Sequence, residues 1–329
     1  MVWPIIGISI AAILVAYGVL NLFLVRKIRP IFESSPLLIP LSADPDEAAT
    51  EFQIPTPDGM MLSACLYSRD ERESRGVIIF CHEFGGNKWS CMNYCQGLWD
   101  AGYDILAFDF RNHGQSTSMP KYRQIHWLTE YEKTDVRAVI DYVQSDPLLC
   151  ERSLGLFGVS RGGSAALAVG AECPQIDLIA TDSAFPIEPM IRYFFRLWFS
   201  HHVPDYLYTM APEWHVRYTI WSVKRFTEYS RRCRFVEVIP ALRSMASPKK
   251  VLLIAGARDS FVKSEILRQM QDALGDTCEE MWVVPKAKHN GARNIAPEEY
   301  DRKLIEFFSE MSPFGEETPS VPVELSADA

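Results

Sequence analysis

The sequence has no excess of basic residues, few glycines and no internal repeat, and each absence excludes a class of protein. The 329 residues carry a formal net charge of −9 and have a pI of about 5.4, so the chain lacks the positive surface that nucleic acid backbones require. The 18 glycines show no triplet period, which excludes collagen. No segment of roughly 20–50 residues recurs, which argues against solenoids and propellers. We therefore expect no nucleic acid partner.

The cysteines also lack a pattern that would indicate disulfides or a metal. The eight are spread along the chain, and none belongs to a Cys-x-x-Cys pair. Cys91 and Cys95, with Cys81 and His82 nearby, allow a metal site, but free thiols on a helix and a strand are the simpler interpretation. Unpaired thiols are typical of a reducing compartment. We expect no metal and no other cofactor.

The sequence does contain enough apolar residues for a large core. Hydrophobic residues make up 48% of the chain and include 18 Phe, 13 Tyr and 8 Trp, which is far from the composition of a disordered protein. The length allows one large α/β domain or two ordinary domains.

The longest apolar run is at the N-terminus. No charged side chain occurs from Val2 to Val25, and a helix of that length measures about 36 Å, enough to cross a hydrocarbon core of roughly 30 Å. A cleaved signal peptide would have a basic segment, a shorter apolar run and a small-residue cleavage site. A buried core helix this long and apolar on all sides is rare in a domain of this size. We expect residues 1–25 to be a single-pass membrane anchor.

The flanks of this run predict its orientation and the domain limits. Arg26, Lys27 and Arg29 follow the run, and no basic residue precedes it, so the positive-inside rule places the rest of the chain in the cytoplasm. Residues 26–49 are rich in proline and predict an extended linker. Residues 312–329 contain prolines and acidic residues with little apolar periodicity and predict a disordered acidic tail.

Between residues 50 and 311, short apolar runs alternate with segments of helical periodicity. This alternation predicts an α/β fold with a mostly parallel sheet covered by helices on both faces, and chemistry in such sheets gathers at the carboxyl ends of the strands. The predicted strands are Glu51–Pro55, Met60–Tyr67, Gly76–Cys81, Tyr103–Phe110, Leu154–Val159, Leu178–Asp182, Val251–Gly256 and Met281–Pro285. The predicted helices are Asn87–Ala101, Thr129–Ser145, Arg161–Ala171, Ser264–Leu274 and Pro297–Met311.

One interval, residues 184–249, is longer than a connection between two strands needs to be. It is dense in Phe, Tyr and Trp, and a structureless loop of that length is uncommon in a compact domain. We expect a helical cap insertion. Its aromatic rings either add a core layer or cover an apolar cleft as a lid, and the two roles are compatible.

A Gly-x-Ser-x-Gly motif lies where a buried strand gives way to a helix. Gly158, Ser160 and Gly162 follow the apolar run Leu154–Val159. A sharp turn at this point holds the serine in a strained conformation, and small flanking residues let the chain turn that tightly. The N-terminus of the following helix offers backbone N–H groups to a developing oxyanion.

A nucleophilic serine needs a base, and the base needs an acid that orients it. Asp259 and His289 each come just after a predicted strand, in the chain order nucleophile, acid, base. Asp182, at the end of an earlier strand, is the rival acid. The rival histidines lie in the insertion, in loops or in turns: His82, His113, His126, His201, His202 and His215.

Four landmarks in order carry a resemblance to a known superfamily. They are His82–Gly86 after the third strand, Asp109–Ser116 after the fourth, the Ser160 turn, and the Asp259 and His289 positions. Over about residues 50–311 the chain resembles serine hydrolases of the α/β-hydrolase superfamily, in its esterase and serine-aminopeptidase-like branch, some members of which are membrane-anchored. Asp109–Ser116 resembles a structural turn of that family and receives no catalytic role.

The resemblance implies a role for each candidate residue. Ser160 would be the nucleophile, His289 the general base and then acid, Asp259 the orienting acid, and the backbone N–H groups of Phe84 and Arg161 the oxyanion hole. The implied activity is cleavage of an ester, thioester or amide through an acyl-enzyme, without a metal or organic cofactor. The aromatic insertion and the anchor favour an apolar acyl substrate: a small molecule, a lipid or an acylated protein.

Two alternatives and one departure from the family remain. The same triad would serve an acyltransferase, and a catalytically silent binding protein is the third reading. Glu83 stands where the family usually has glycine, and a carboxylate pointing into the oxyanion hole would oppose negative charge there. We expect the Glu83 side chain to point away and to form hydrogen bonds within its loop.

Overall fold

The apolar runs of the central region form one eight-stranded sheet. The computed structural model describes residues 2–34, 41–68, 74–202, 210–245 and 249–311. The strand order is β1-β2-β4-β3-β5-β6-β7-β8, with β1 and β2 antiparallel to their neighbours and all later pairs parallel. The strands are β1 Thr50–Pro55, β2 Met61–Tyr67, β3 Val77–Cys81, β4 Asp104–Phe108, β5 Leu154–Val159, β6 Ile176–Asp182, β7 Lys250–Gly256 and β8 Cys278–Val284.

Helices cover both faces of the sheet, which confirms the predicted α/β-hydrolase fold. Alternate side chains of β3 enter two different core clusters, Ile79 on one face and Ile78 and Phe80 on the other, because successive residues of a strand point to opposite faces. The helices are α1 Val2–Glu33, α2 Met92–Asp100, α3 Glu130–Ser145, α4 Arg161–Gly170, α5 Ile187–His202, α6 Glu213–Arg231, α7 Val238–Ser244, α8 Ser264–Leu274, α9 Ala292–Ile295 and α10 Pro297–Phe308.

The insertion between β6 and β7 is helical and serves two purposes. Val238 and Leu242 of α7 belong to the core beneath the sheet, so this part is an added core layer. Helices α5 and α6 instead form a separate apolar cluster that includes residues of α1, and they make up the cap. Residues 203–209 and 246–248 of the insertion lie outside the described part of the chain.

Helix α1 extends beyond the predicted anchor. It continues through Pro30 to Glu33, so residues 26–33 are helical where an extended linker is predicted. The reason is tertiary packing, since Ile28 and Phe32 are buried in the cluster shared with the cap. Of the other predicted segments, residues 35–40 of the linker and the tail 312–329 lie outside the described residues.

Most of the N-terminal half of α1 is exposed. Trp3, Ile8 and Leu14 are each more than 60% exposed, and within the described residues α1 is the one helix long and apolar enough to cross a membrane.

Candidate active site

Ser160 occupies a strained turn between β5 and α4. Its φ is 53° and its ψ is −119°, a conformation that non-glycine residues adopt mainly at functional sites. The flanking glycines make the turn possible. A Cβ atom on Gly162 would lie 2.1 Å from the carbonyl oxygen of Cys81, and one on Gly158 would lie 2.5 Å from that of Gly162. The Ser160 N–H donates to the carbonyl of Asp182 (2.8 Å), which ties the turn to β6.

Ser160, His289 and Asp259 form a chain of hydrogen bonds at the carboxyl edge of the sheet. Ser160 Oγ lies 2.9 Å from His289 Nε2, and His289 Nδ1 lies 2.7 Å from Asp259 Oδ2. Because a carboxylate only accepts, the neutral imidazole carries its proton on Nδ1 and leaves Nε2 to accept the serine hydroxyl. The three residues follow β5, β8 and β7, whose carboxyl ends meet at the same edge.

The second carboxylate oxygen of Asp259 is also held in place. Oδ1 accepts the backbone N–H groups of Phe261 (2.7 Å) and Val262 (2.9 Å), in the manner of an Asx turn. These two donors are not evident from residue type, because they are backbone groups; the run from Asp259 to Val262 just after a strand is the one sequence signal that points to them. Asp259 is therefore a rigid partner for His289.

Asp182, the rival acid, forms other contacts. Its Oδ1 accepts the Ser183 hydroxyl (2.9 Å), and its Oδ2 accepts the Tyr300 hydroxyl (3.2 Å). Burial raises the pKa of the Asp182 carboxyl to about 6. This carboxyl forms no hydrogen bond with His289 in the described structure.

His82 and His215, two of the rival histidines, form hydrogen bonds with groups other than Ser160. His82 Nδ1 donates to the Glu83 carbonyl (2.7 Å), while its Nε2 accepts the Phe110 N–H (3.1 Å). Burial lowers the pKa of His82 to about 4 and that of His126 to about 3, so both are neutral at pH 7. His215 lies on α6 with its Nδ1 2.8 Å from the Tyr17 hydroxyl.

Phe84 and Arg161 lie next to each other beside the turn. Arg161 is the first residue of α4, so its backbone N–H has no acceptor within the helix. Gly162 lies so close to the carbonyl groups of Cys81 and His82 that a side chain would not fit between them. The loop after β3 therefore packs directly against the N-terminus of α4. The Arg161 guanidinium lies over the Phe84 ring at 5.0 Å, and it is itself fixed by Glu132 (3.3 Å).

The Glu83 carboxylate accepts hydrogen bonds from partners outside its own loop. Its Oε1 accepts the backbone N–H of Leu41 (2.8 Å) and the Tyr94 hydroxyl (3.3 Å), which corrects the expectation of bonds within the loop. Oε2 is buried and has no hydrogen-bond partner among the described residues. Burial raises the pKa of this carboxyl.

A cavity of about 200 Å³ lies beside this chain of residues. The Phe261 ring forms one wall and meets the His289 ring edge-on, with centroids 5.4 Å apart. The lining is mostly aromatic and aliphatic.

Within the described residues, no three His, Cys, Asp or Glu side chains cluster as metal ligands would, and Cys81, Cys91 and Cys95 are buried free thiols.

Several curated proteins resemble parts of this chain. A thiohydrolase from Aspergillus aculeatus is 27% identical over 164 residues, which cover 49% of this chain and 46% of that protein. An uncharacterized membrane protein from Saccharomyces cerevisiae is 20% identical over 224 residues, or 68% of this chain and 67% of that protein. The chain thus spans about half the length of the thiohydrolase that it matches.

Solved structures and a family model agree on the fold. An esterase from Pyrococcus furiosus superposes with a TM-score of 0.59 at 22% identity, covering 84% of this chain and 99% of that one. An α/β-hydrolase from a Penicillium species gives a TM-score of 0.60 at 14% identity, covering 80% and 98%. The model of the family described as serine aminopeptidase, S33, matches residues 72–293. That match spans well over half of the chain, so the protein is an α/β-hydrolase enzyme and belongs to the serine aminopeptidase S33 family.

Proposed function

We propose that this enzyme is a serine hydrolase that cleaves an ester, thioester or amide through an acyl-enzyme on Ser160. The observation that carries the proposal is the hydrogen-bonded chain from Ser160 Oγ through His289 to Asp259, with distances of 2.9 and 2.7 Å. A serine hydroxyl alone is a weak nucleophile, and a base at hydrogen-bond distance activates it.

The first half of the reaction forms the acyl-enzyme. Ser160 Oγ attacks the carbonyl carbon while its proton moves to His289 Nε2, and Asp259 stabilises the imidazolium through Nδ1–H. The backbone N–H groups of Phe84 and Arg161 stabilise the negative oxygen of the tetrahedral intermediate. The intermediate collapses when His289 donates its proton to the leaving alcohol, thiol or amine.

The second half regenerates the enzyme. His289 takes a proton from water, the hydroxide attacks the acyl carbon, and the carbon–oxygen bond to Ser160 breaks as Oγ recovers its proton. The neutral Nδ1–H tautomer required at the start is the one that the Asp259 carboxylate favours.

We also propose an apolar acyl substrate and membrane anchorage through α1. The mostly apolar cavity beside His289 supports the first, and the thiohydrolase and esterase among similar proteins place thioesters and esters first in a substrate panel. The exposed apolar half of α1 supports the second. Arg26, Lys27 and Arg29 favour a cytoplasmic catalytic domain.

The test is labelling of the full-length protein with a fluorophosphonate probe. We expect the parent to be labelled and Ser160→Ala to be unlabelled, with thermal melting showing that both are folded. Ser164→Ala, one helical turn further along α4, is the matched control and should keep its labelling. Labelling of a folded Ser160→Ala protein at another residue would overturn the assignment of the nucleophile. Ester, thioester and peptide substrates then identify the bond cleaved.

A further inference from the structure

The cavity beside the candidate triad is not built by the hydrolase domain alone. Ile28, Ile31 and Phe32 of α1 form one of its walls, and residues of α5, including Ile191 and Phe194, form another. The helix that carries the proposed membrane anchor therefore continues, without a break, into the lining of this cavity.

Specific contacts hold the α1 wall in position. The Trp127 indole N–H donates to the carbonyl oxygen of Phe32 (2.8 Å), and the two rings stack with centroids 4.8 Å apart. Arg231 of α6 pairs with Glu33 at 2.8 Å. Buried aromatic stacking and a hydrogen bond to a helix carbonyl fix both the depth and the rotation of the helix. The wall is thus a defined part of the structure.

The inner end of the cavity is one side chain from the triad. Phe261 lines the cavity, its ring meets the His289 ring edge-on, and its backbone N–H donates to Asp259 Oδ1. An acyl chain lying in this cavity would therefore end one aromatic ring away from His289.

Helix α6 follows α1 from the anchor to the level of the cavity. Helices α1 and α6 run side by side, with Asn21 Nδ2 donating to Ser222 Oγ (3.0 Å) and Arg29 donating to Ser230 Oγ (2.9 Å) further along. The first half of α6 therefore lies at the depth of the last apolar turns of the anchor. Ile31, at the cavity rim, is 38% exposed.

The outward face of α6 suits a membrane interface. Trp214, Tyr218 and Trp221 share one face at helical spacing and are 61%, 42% and 53% exposed, and Tyr218 and Trp221 stack at 5.7 Å. Amphipathic aromatic rings concentrate where lipid headgroups meet the hydrocarbon. This face and the exposed half of α1 together favour a bilayer around the last apolar turns of the anchor, about 15 Å along α1 from Ile31 at the cavity rim.

We propose that helix α1 is part of the substrate site, and that the cavity binds the acyl chain of a membrane-dissolved lipid that enters sideways from the bilayer. The proposal rests on the proposed serine hydrolase function. It adds that the substrate carries a long acyl chain and that its chain contacts Ile28, Ile31 and Phe32.

The direct test uses a fluorophosphonate that carries a long alkyl chain with a diazirine at its end. The full-length protein in phosphatidylcholine nanodiscs is labelled, irradiated and digested, and the cross-linked peptides are identified by mass spectrometry. We expect Ser160 to hold the phosphonyl group and the cross-links to fall within residues 28–32 and on α5. Labelling of Ser160 with cross-links only elsewhere would overturn this proposal alone, whereas absence of labelling would count against the proposed function itself.

A second test separates the acyl site from the triad. Ile31→Trp should fill the cavity rim and lower kcat/KM for a hexadecanoyl ester at least tenfold, with less than a twofold effect on an acetyl ester. Leu22→Trp, on an exposed part of α1, is the matched control and should change neither. Equal rates of the parent and Ile31→Trp on the long-chain ester would contradict the proposal, while retained acetyl ester activity would show that the triad is intact.

Discussion

Asp259 and Asp182 follow neighbouring strands and are both buried, but their surroundings differ. Asp259 receives two backbone N–H groups and the imidazole of His289, and these three donors hold both carboxylate oxygens in position. Asp182 receives two hydroxyls, and burial raises its pKa to about 6. Only Asp259 is therefore arranged to hold the imidazole and stabilise its charged form.

Conservative substitutions at these two positions should separate their roles. Asp259→Asn should lower kcat by about 10³–10⁴-fold, because an amide that donates to Nδ1 favours the wrong tautomer. Asp182→Asn should lower kcat less than about tenfold, since the amide oxygen still accepts one of the Ser183 and Tyr300 hydroxyls and the amide N–H can donate to the other. Steady-state rates on one ester, together with unfolding midpoints for both variants, are the measurements. The reverse order of effects would make Asp182 the orienting acid.

The sequence predicts the triad because each residue has a strong local signal. A glycine-flanked serine after a buried strand, and polar residues just past the ends of two later strands, can be recognised without knowing any contact. The Glu83 partners could not be predicted in this way. Leu41 is 42 residues away along the chain and Tyr94 is on another element, so the contacts exist only once the sheet and α2 are assembled.

At the scale of elements, prediction is best for the strands and poorest for α1. Uninterrupted apolar runs such as Leu154–Val159 appear with the same limits in the sheet, since burial on both faces leaves no alternative arrangement. The end of α1 is different, because Arg26, Lys27 and Pro30 all indicate that the apolar helix stops. The cap provides a packing surface that continues the helix to Glu33. Local signals cannot anticipate that surface.

If the cap holds α1 in place, removing the buried ring of Phe32 from α1 should destabilise the protein. Phe32 is 5% exposed and stacked on Trp127, so Phe32→Ala should lower the free energy of unfolding by about 3–5 kcal/mol. Phe23→Ala, at an exposed position of the same helix, should change it by less than about 0.5 kcal/mol. Denaturant unfolding in detergent micelles measures both. Equal effects of the two variants would mean that α1 does not depend on the cap.

At the scale of the whole molecule, one helix connects the anchor, the cap and the site. The apolar cluster that contains Ile28 and Phe32 also contains Phe261, whose ring contacts His289. Movement of the cap would therefore move the anchor wall of the cavity as well. Because of this coupling, the end of α1 after the anchor, the cap and the catalytic domain must all lie on the same side of the membrane. The orientation of the chain can therefore be measured at any one of them.

Cys150 offers a means to measure that orientation. It is an exposed free thiol, six of the other cysteines are buried and Cys278 is half-buried, so a membrane-impermeant maleimide should react mainly at Cys150 in the folded protein. The basic residues after the anchor favour a cytoplasmic domain, and we expect labelling in permeabilised cells but not in intact cells. Cys150→Ser should remove the signal. With Trp3→Cys added to that variant, at the exposed start of α1, the thiol should be labelled in intact cells, because it lies at the opposite membrane surface. Labelling of Cys150 in intact cells would place the catalytic domain outside the cytoplasm and would mean that its substrate comes from the outer leaflet.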